Sequence, residues 1–191
     1  MSSLLEFDSN VLLDGAQGRI AYYPGVVAPE LAREWLAILL ADVPWESERR
    51  RMYDRDVDVP RLMARYALDR DIVPEPVTAA AIHAARIADC AFNSVGLNLY
   101  RDGNDSVAPH NDKLHTIENG APIALLSLGA TRRMTIASKA KPRRSLHLDL
   151  ESGSILLMSY ATQLHFDHGI PKTKAPVGPR ISLAFRRRPR E

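Results

Sequence analysis

The spacing of apolar residues changes once along the chain, near residue 92, and that change restricts the fold more than any other feature. From SVGLNLY onward, Val95, Leu97 and Leu99 alternate with Gly96, Asn98 and Tyr100, the period of a strand with one buried face. The runs IALLSLGA, RMTIAS, SLHLDL, SILLMSY and RISLAFR continue the pattern, separated by the turn-rich NGAP, KAKPRR, ESG and APVGP. Six or more short strands imply a closed or sandwiched β-core. Before residue 92 the period is helical. PELAREWLAILLAD sets Leu31, Trp35, Ile38 and Leu39 at helical spacing, with Pro29 suited to a first turn. VTAAAIHAARIADCAF carries a narrow stripe of Val77, Ala81, Ala84 and Ala88 that suits close packing on a sheet. The charged stretch between them, WESERRRMYDRDVDVPRLMARYALDRD, reads as an exposed loop or hairpin. Helices first and strands second predict an α+β chain, a β-sandwich or jelly roll buttressed by N-terminal helices. At 191 residues and 46% apolar content, one domain with a real core is expected, with residues 1–92 as its helical region and 93–191 as its β-core.

Several classes of protein are excluded or disfavoured by composition. No apolar run approaches the roughly 20 residues that span a bilayer, and MSSLLEFDSN lacks the basic start and long apolar stretch of a secretory signal. A cytoplasmic protein without membrane contact is expected. Cys90 is the only cysteine, so an internal disulfide is ruled out and any metal must be held by histidine and carboxylate. The net charge is +2, too balanced to diagnose a nucleic-acid binder by itself. Basic residues do cluster at Arg132, Arg133, Lys139, Lys141, Arg143 and Arg144, at Lys172 and Lys174, and from Arg186 to Arg190. Solvated loops and a phosphate-binding surface are both compatible with such clusters.

Among the six histidines, His110-Asn111-Asp112 is the most informative, following the turn-rich RDGNDSVAP. On an extended chain residues two apart share a face, so His110 and Asp112 can converge on one ion. A third ligand is available from His165 or His168 in QLHFDHGIP. Two histidines and a carboxylate without sulfur form the donor set of non-haem Fe(II) oxygenases, which leaves coordination positions open. In RISLAFR, Arg180, Ser182, Ala184 and Arg186 share one face and Ile181, Leu183 and Phe185 the other. The two arginines stand about 20 Å apart at Cα, at roughly 3.3 Å per residue, and leaning inward they can hold a small dicarboxylate. An edge strand with both arginines in solvent is the competing reading. Asn98 and Tyr100 supply a second polar face.

Taken together, NLYRDGNDSVAPHND, IALLSLGATRRM, GSILLMSYATQLHFDHGIP and PRISLAFR resemble, in order, the AlkB-type Fe(II) and 2-oxoglutarate-dependent dioxygenases, which act on alkylated nucleic acids. The resemblance covers about the last hundred residues. It implies a double-stranded β-helix (jelly-roll) core with N-terminal supporting helices and a substrate-recognition lid. It implies Fe(II) held by His110, Asp112 and His168, with dioxygen and 2-oxoglutarate as cosubstrates. His168 is favoured over His165 because His168-Gly169-Ile170 matches the family's histidine followed by a small and an aliphatic residue. By the same resemblance Tyr100 and Arg180 grip the distal carboxylate of 2-oxoglutarate, and Asn98 and Arg186 lie near its keto-acid end. Ala184 departs from members with a threonine or similar polar group there, which implies one hydrogen bond fewer to the cosubstrate.

The resemblance further implies oxidative dealkylation of bases in DNA, with release of formaldehyde, succinate and carbon dioxide, as in DNA repair. Tyr53, seven residues before Pro60, falls where duplex-acting members place an aromatic finger. Tyr66 and Lys113 are candidates to line the substrate pocket, with surface or lid packing as the alternative for all three. The metal and cosubstrate residues do not encode the prime substrate, so RNA, a protein or a small molecule is an alternative to DNA. A non-catalytic nucleic-acid-binding β-domain is the alternative from another class. A monomer is expected.

Overall fold

The computed structural model describes residues 9–52 and 55–189. In chain order the elements are β1 (Asn10–Gly15), β2 (Gly18–Tyr23), α1 (Pro29–Asp42), β3 (Glu46–Met52), β4 (Arg55–Ala67), α2 (Glu75–Ala88), β5 (Ser94–Tyr100) and β6 (Val107–His110). There follow β7 (Ile123–Gly129), β8 (Arg132–Ser138), β9 (Ser145–Leu150), β10 (Ile155–Met158), α3 (Thr162–His165), β11 (Phe166–Ile170) and β12 (Arg180–Arg186). The larger sheet has eight strands in the order β1-β2-β10-β7-β12-β5-β4-β3, and the smaller has four in the order β6-β11-β8-β9. The pairings are antiparallel throughout.

Two apolar clusters follow from the alternation predicted above. Val95, Leu97 and Leu99 of β5, Ala124, Leu126 and Leu128 of β7, and Ile181, Leu183 and Phe185 of β12 form one with the buried faces of α1 and α2. The opposite face of the same strands meets the small sheet. There Tyr100, Ile123, Leu125 and Ala184 pack with Met134 and Ile136 of β8, Leu150 of β9 and Ile170 of β11. Each central strand therefore has both faces covered, and the polar residues it carries on the second face are enclosed between the sheets.

Helix α1 has the limits expected, but its buried stripe is Ala32, Trp35 and Leu39, with Leu36 and Leu40 partly buried beside them. Leu31 is exposed. Positions 32, 35, 36, 39 and 40 make a truer helical stripe than one through Leu31, which lies on its flank. Helix α2 is bounded by proline at its start and by Asp89 at its end, whose φ of 46° is left-handed. It presents Val77, Ala80 and Ala84 inward, with Ala81 only partly buried.

The described residues before residue 92 also contain four strands. The charged stretch forms the hairpin β3–β4, one of the two forms expected of it, and β4 extends the large sheet by pairing with β5. The hairpin β1–β2 was not foreseen. Its outer strand is largely exposed and lacks alternation, and its inner strand buries Ile20, Ala21 and Tyr22 consecutively, so neither shows the two-residue period.

Gly129 at the end of β7 faces Arg180 in register and has φ of +88°, a backbone state that a side chain strains. An added Cβ would strike the Pro179 carbonyl oxygen. Gly129→Ala is expected to lower unfolding stability by about 2 kcal/mol or more. Gly178→Ala, where an added Cβ meets nothing within 4 Å, should change it by less than about 0.5 kcal/mol, both read from urea denaturation.

Candidate active site

The face of β12 turned to the small sheet carries Arg180, Ser182, Ala184 and Arg186, and β5 sets Tyr100 opposite Arg180 and Asn98 opposite Ser182. Sterics of the pleat alone put these groups between the sheets, because the intervening Ile181, Leu183 and Phe185 are claimed by the helices. Arg180 is 1% exposed. Its Nη2 donates to Ser127 Oγ at 2.9 Å, and its Cζ lies 5.1 Å from the centre of the Tyr100 ring. Its Nε and Nη1 are buried with no hydrogen-bond partner. Burial presses its pKa below the usual arginine range, with the Tyr100 hydroxyl opposing that shift and Arg132 adding to it. The guanidinium remains charged, and two of its nitrogens face the interior unpaired. The edge-strand reading of these arginines is thereby excluded.

At the other end of the face, β6 and β11 bring His110 and His168 into register, with ring centres 4.6 Å apart. His110 Nδ1 is 2.9 Å from the Ala108 carbonyl oxygen, which directs its Nε2 elsewhere. His168 is buried, and burial together with His110 lowers its pKa to about 4, Asp112 opposing. It is therefore neutral at physiological pH, with a lone pair available. Asp112 lies just past β6. Burial pushes its carboxyl upward, but the Arg186 guanidinium and the two imidazoles outweigh this and hold it below the usual carboxylate range. Arg186 grips it bidentately, Nε to Oδ2 at 3.0 Å and Nη2 to Oδ1 at 2.9 Å. Gln163, buried in the one-turn helix α3, accepts the Asp112 backbone N–H at 3.0 Å.

His110 and Asp112, two residues apart, thus share one neighbourhood with the distant His168. Among the described residues no group of three histidine, cysteine, aspartate or glutamate side chains is already gathered as a metal-binding cluster. The Asp112 carboxylate is turned to Arg186. That engagement is compatible with ligation, because a carboxylate offers about four lone-pair positions and a bidentate arginine uses two. The donor set of two imidazoles and one carboxylate fits a borderline divalent ion such as Fe(II).

Other expected site residues are placed differently. Asn98 Oδ1 accepts a bond of 2.7 Å from Arg61 Nε, a partner that the sequence reading did not name. Tyr66 is not on the site face. It pairs with Val95, whose side chain faces the helices, and it packs on that cluster. The β4 register instead puts Met63 and Arg65 opposite Asn98 and Gly96, so Arg61, Met63 and Arg65 share the face of the site. Lys113 is exposed beside Asp112. His165 ends α3, and His168, not His165, meets His110. Tyr53 lies outside the described residues.

The basic cluster also divides. Arg132 is 3% exposed and donates to the carbonyls of Asp102, Asp105 and Pro171, so it is no phosphate contact, whereas its neighbour Arg133 is exposed and paired with Asp149. Adjacent residues of a strand face opposite ways, and Arg132 shares the inward face of Met134 and Ile136. That alternation was the signal available for it.

The solved structure of OsALKBH1 superposes on 88% of this chain and 97% of its own with a TM-score of 0.60 at 14% identity, a likeness of fold that agrees with a jelly-roll core. Alpha-ketoglutarate-dependent dioxygenase alkB homolog 3 is 32% identical in Homo sapiens and 31% in Mus musculus, each over 187 residues that cover 88% of this chain and 65% of the relative. DNA oxidative demethylase ALKBH2 of Homo sapiens is 33% identical over 112 residues, 55% of this chain and 43% of that protein. The chain thus spans under two thirds of the length of these relatives. No described helix is long and apolar enough to cross a membrane. Residues 68–186, most of the chain and including His110, Asp112, His168, Arg180 and Arg186, match the family model of the 2OG-Fe(II) oxygenase superfamily. With the interior arginine, the paired histidines and the AlkB relatives in agreement, the chain belongs to that superfamily as an AlkB-like member, a family whose cofactor is Fe(II) and whose cosubstrates are 2-oxoglutarate and dioxygen.

Proposed function

We propose that the chain is a dioxygenase that removes alkyl groups oxidatively from nucleic-acid bases, in DNA or RNA, with 2-oxoglutarate converted to succinate and carbon dioxide and the alkyl carbon released as formaldehyde. The observation that carries this reading is Arg180. A fully buried guanidinium with two unpartnered nitrogens is costly unless a ligand completes it, and a carboxylate matches its fork. The relatives support the choice of substrate, since one is named as a DNA oxidative demethylase.

In this reading His110, Asp112 and His168 hold Fe(II). Bound iron with dioxygen supplies the oxidising chemistry, and the protein supplies position and exclusion of water. His168 contributes a neutral imidazole because its burial disfavours protonation, and Asp112 contributes an ionised carboxylate because Arg186 opposes its burial. Gln163 fixes the Asp112 backbone. Arg180 and Tyr100 take the distal carboxylate of 2-oxoglutarate. Asn98 and Arg186 border its keto-acid end, where Arg186 also balances the charge of Asp112.

Residues 93–191 serve as the catalytic core and residues 1–92 as support and recognition. Arg61, Met63 and Arg65 extend the site face toward substrate, and Tyr53 and Lys113 remain substrate candidates. A target base enters by leaving its stack, a step that costs a few kcal/mol and is cheapest for a lesion that already blocks pairing. Exposed Lys141, Arg143 and Arg144 offer phosphate contacts whose strength falls with added salt. The protein acts as a monomer in the cytoplasm.

Anaerobic reconstitution with Fe(II) and 2-oxoglutarate, then air and a panel of methylated single-stranded DNA, duplex DNA and RNA, should yield formaldehyde from at least one member. Asp112→Ala and His110→Ala should abolish it while the circular dichroism spectrum is retained. Wild-type turnover in either variant refutes the metal assignment. Arg180→Met should raise the 2-oxoglutarate concentration needed for half-maximal rate by at least about tenfold, roughly the loss of one charge-assisted pair. Oligonucleotide affinity should stay unchanged; an equal loss of both would assign Arg180 to phosphate.

A further inference from the structure

Tyr100 lies against two arginines. Arg180 Cζ is 5.1 Å from its ring centre and Arg132 Cζ is 5.6 Å from it. Arg132 begins β8 in the small sheet, whereas Tyr100 and Arg180 belong to the large one, so this contact joins the two layers at the end of the site. Both terminal nitrogens of Arg132 are committed to backbone. Nη1 donates to the Asp102 carbonyl at 2.8 Å, and Nη2 to those of Asp105 at 2.9 Å and Pro171 at 2.8 Å. The first two acceptors lie in the loop between β5 and β6, and the third follows β11, the strand of His168. Asp105 is buried in turn and accepts from the Arg101 backbone N–H at 2.8 Å and from its side chain at 2.8 and 2.9 Å. The loop that leaves Tyr100 is thereby fixed on both sides.

We propose that Arg132 is a positioning residue for the distal-carboxylate end of the 2-oxoglutarate site, holding the Tyr100 ring through its stacked guanidinium and clamping the segment that follows Tyr100 to the end of β11. This rests on the function proposed above. Arg132 acts through Tyr100, since three of its five N–H donors hold backbone carbonyls while its Cζ lies over that ring. A planar fork suits this place, because it bonds three carbonyls while its Cζ lies over the ring. An ammonium is a single point that cannot span all three carbonyls, and it offers no plane.

The test is calorimetric titration of 2-oxoglutarate into the Mn(II)-loaded full chain, with melting of the metal-free chain recorded in parallel. Wild type should bind. Arg132→Lys should weaken 2-oxoglutarate binding about tenfold and leave Mn(II) affinity unchanged within about twofold. In a Tyr100→Leu background the same substitution should alter 2-oxoglutarate affinity by less than about twofold, while the loss in melting temperature persists, because the carbonyl bonds are lost in either background. Affinity in Arg132→Lys equal to wild type overturns the proposal. So does a tenfold loss that persists in the Tyr100→Leu background, which would mark Arg132 as structural support only. If Arg132→Lys does not fold, Tyr100→Leu alone decides: binding of 2-oxoglutarate as tight as wild type overturns the proposal. A wild-type chain that binds Mn(II) but not 2-oxoglutarate refutes the functional reading itself, and the inference with it.

Discussion

A guanidinium removed from water must find its partners inside the protein or on a ligand, and among the described residues Arg180 Nη2 has Ser127 while Nε and Nη1 have no hydrogen-bond partner. The desolvation of such a group costs several kcal/mol even after relaxation. The fold sustains it through contacts with the neighbouring strands, with the Tyr100 ring under its Cζ and the Ser127 hydroxyl on one nitrogen. In the proposed function the remaining donors serve as an anion site whose shape is set before any anion arrives. A preformed site spares a ligand the cost of ordering it.

The same strand makes this affordable in packing. β12 runs between β5 and β7 at the centre of the eight-stranded sheet, so its outer face can be wholly apolar against α1 and α2. Fully burying a side chain such as Phe185 or Leu183 contributes roughly 1.5–3 kcal/mol each. Those residues fix the register that places Arg180 and Arg186 on the opposite face. A slip of one residue would exchange the faces, setting arginines against the helices, and is strongly disfavoured. Stability and site geometry are thus two faces of one alternation.

That alternation was legible. Val95, Leu97 and Leu99 against Asn98 and Tyr100, and Ile181, Leu183 and Phe185 against Arg180 and Arg186, could be assigned to faces from period alone. The limits of α1 were readable because proline and a helical stripe mark them. Three things were not. β1 and β2 escaped notice because one is too exposed and the other too uniformly buried to alternate. Tyr66 was misplaced because its face depends on the pairing of β4 with β5, a long-range register that local pattern does not contain. Arg132 was read as one of a surface cluster, since composition weighs an arginine as polar, although the period of RRMTIAS separates it from Arg133. The partners Ser127, Gln163 and Arg61 are ordinary residues in ordinary runs, and only the meeting of distant strands gives them their roles.

Charge links the two ends of the site. Asp112 and Arg186 cancel each other, and His168 is neutral, so the buried Arg180 and Arg132 leave this interior with a positive excess. A divalent ion added alone would deepen that positive excess in a low-dielectric interior, and a dianion beside it would relieve it. Added together they cancel each other and leave the interior as it was. Ion and 2-oxoglutarate should therefore favour each other's binding, and by linkage the favour is equal in both directions. Arg186 shares in this balance, because its positive charge offsets the Asp112 carboxylate at the histidine end of the site.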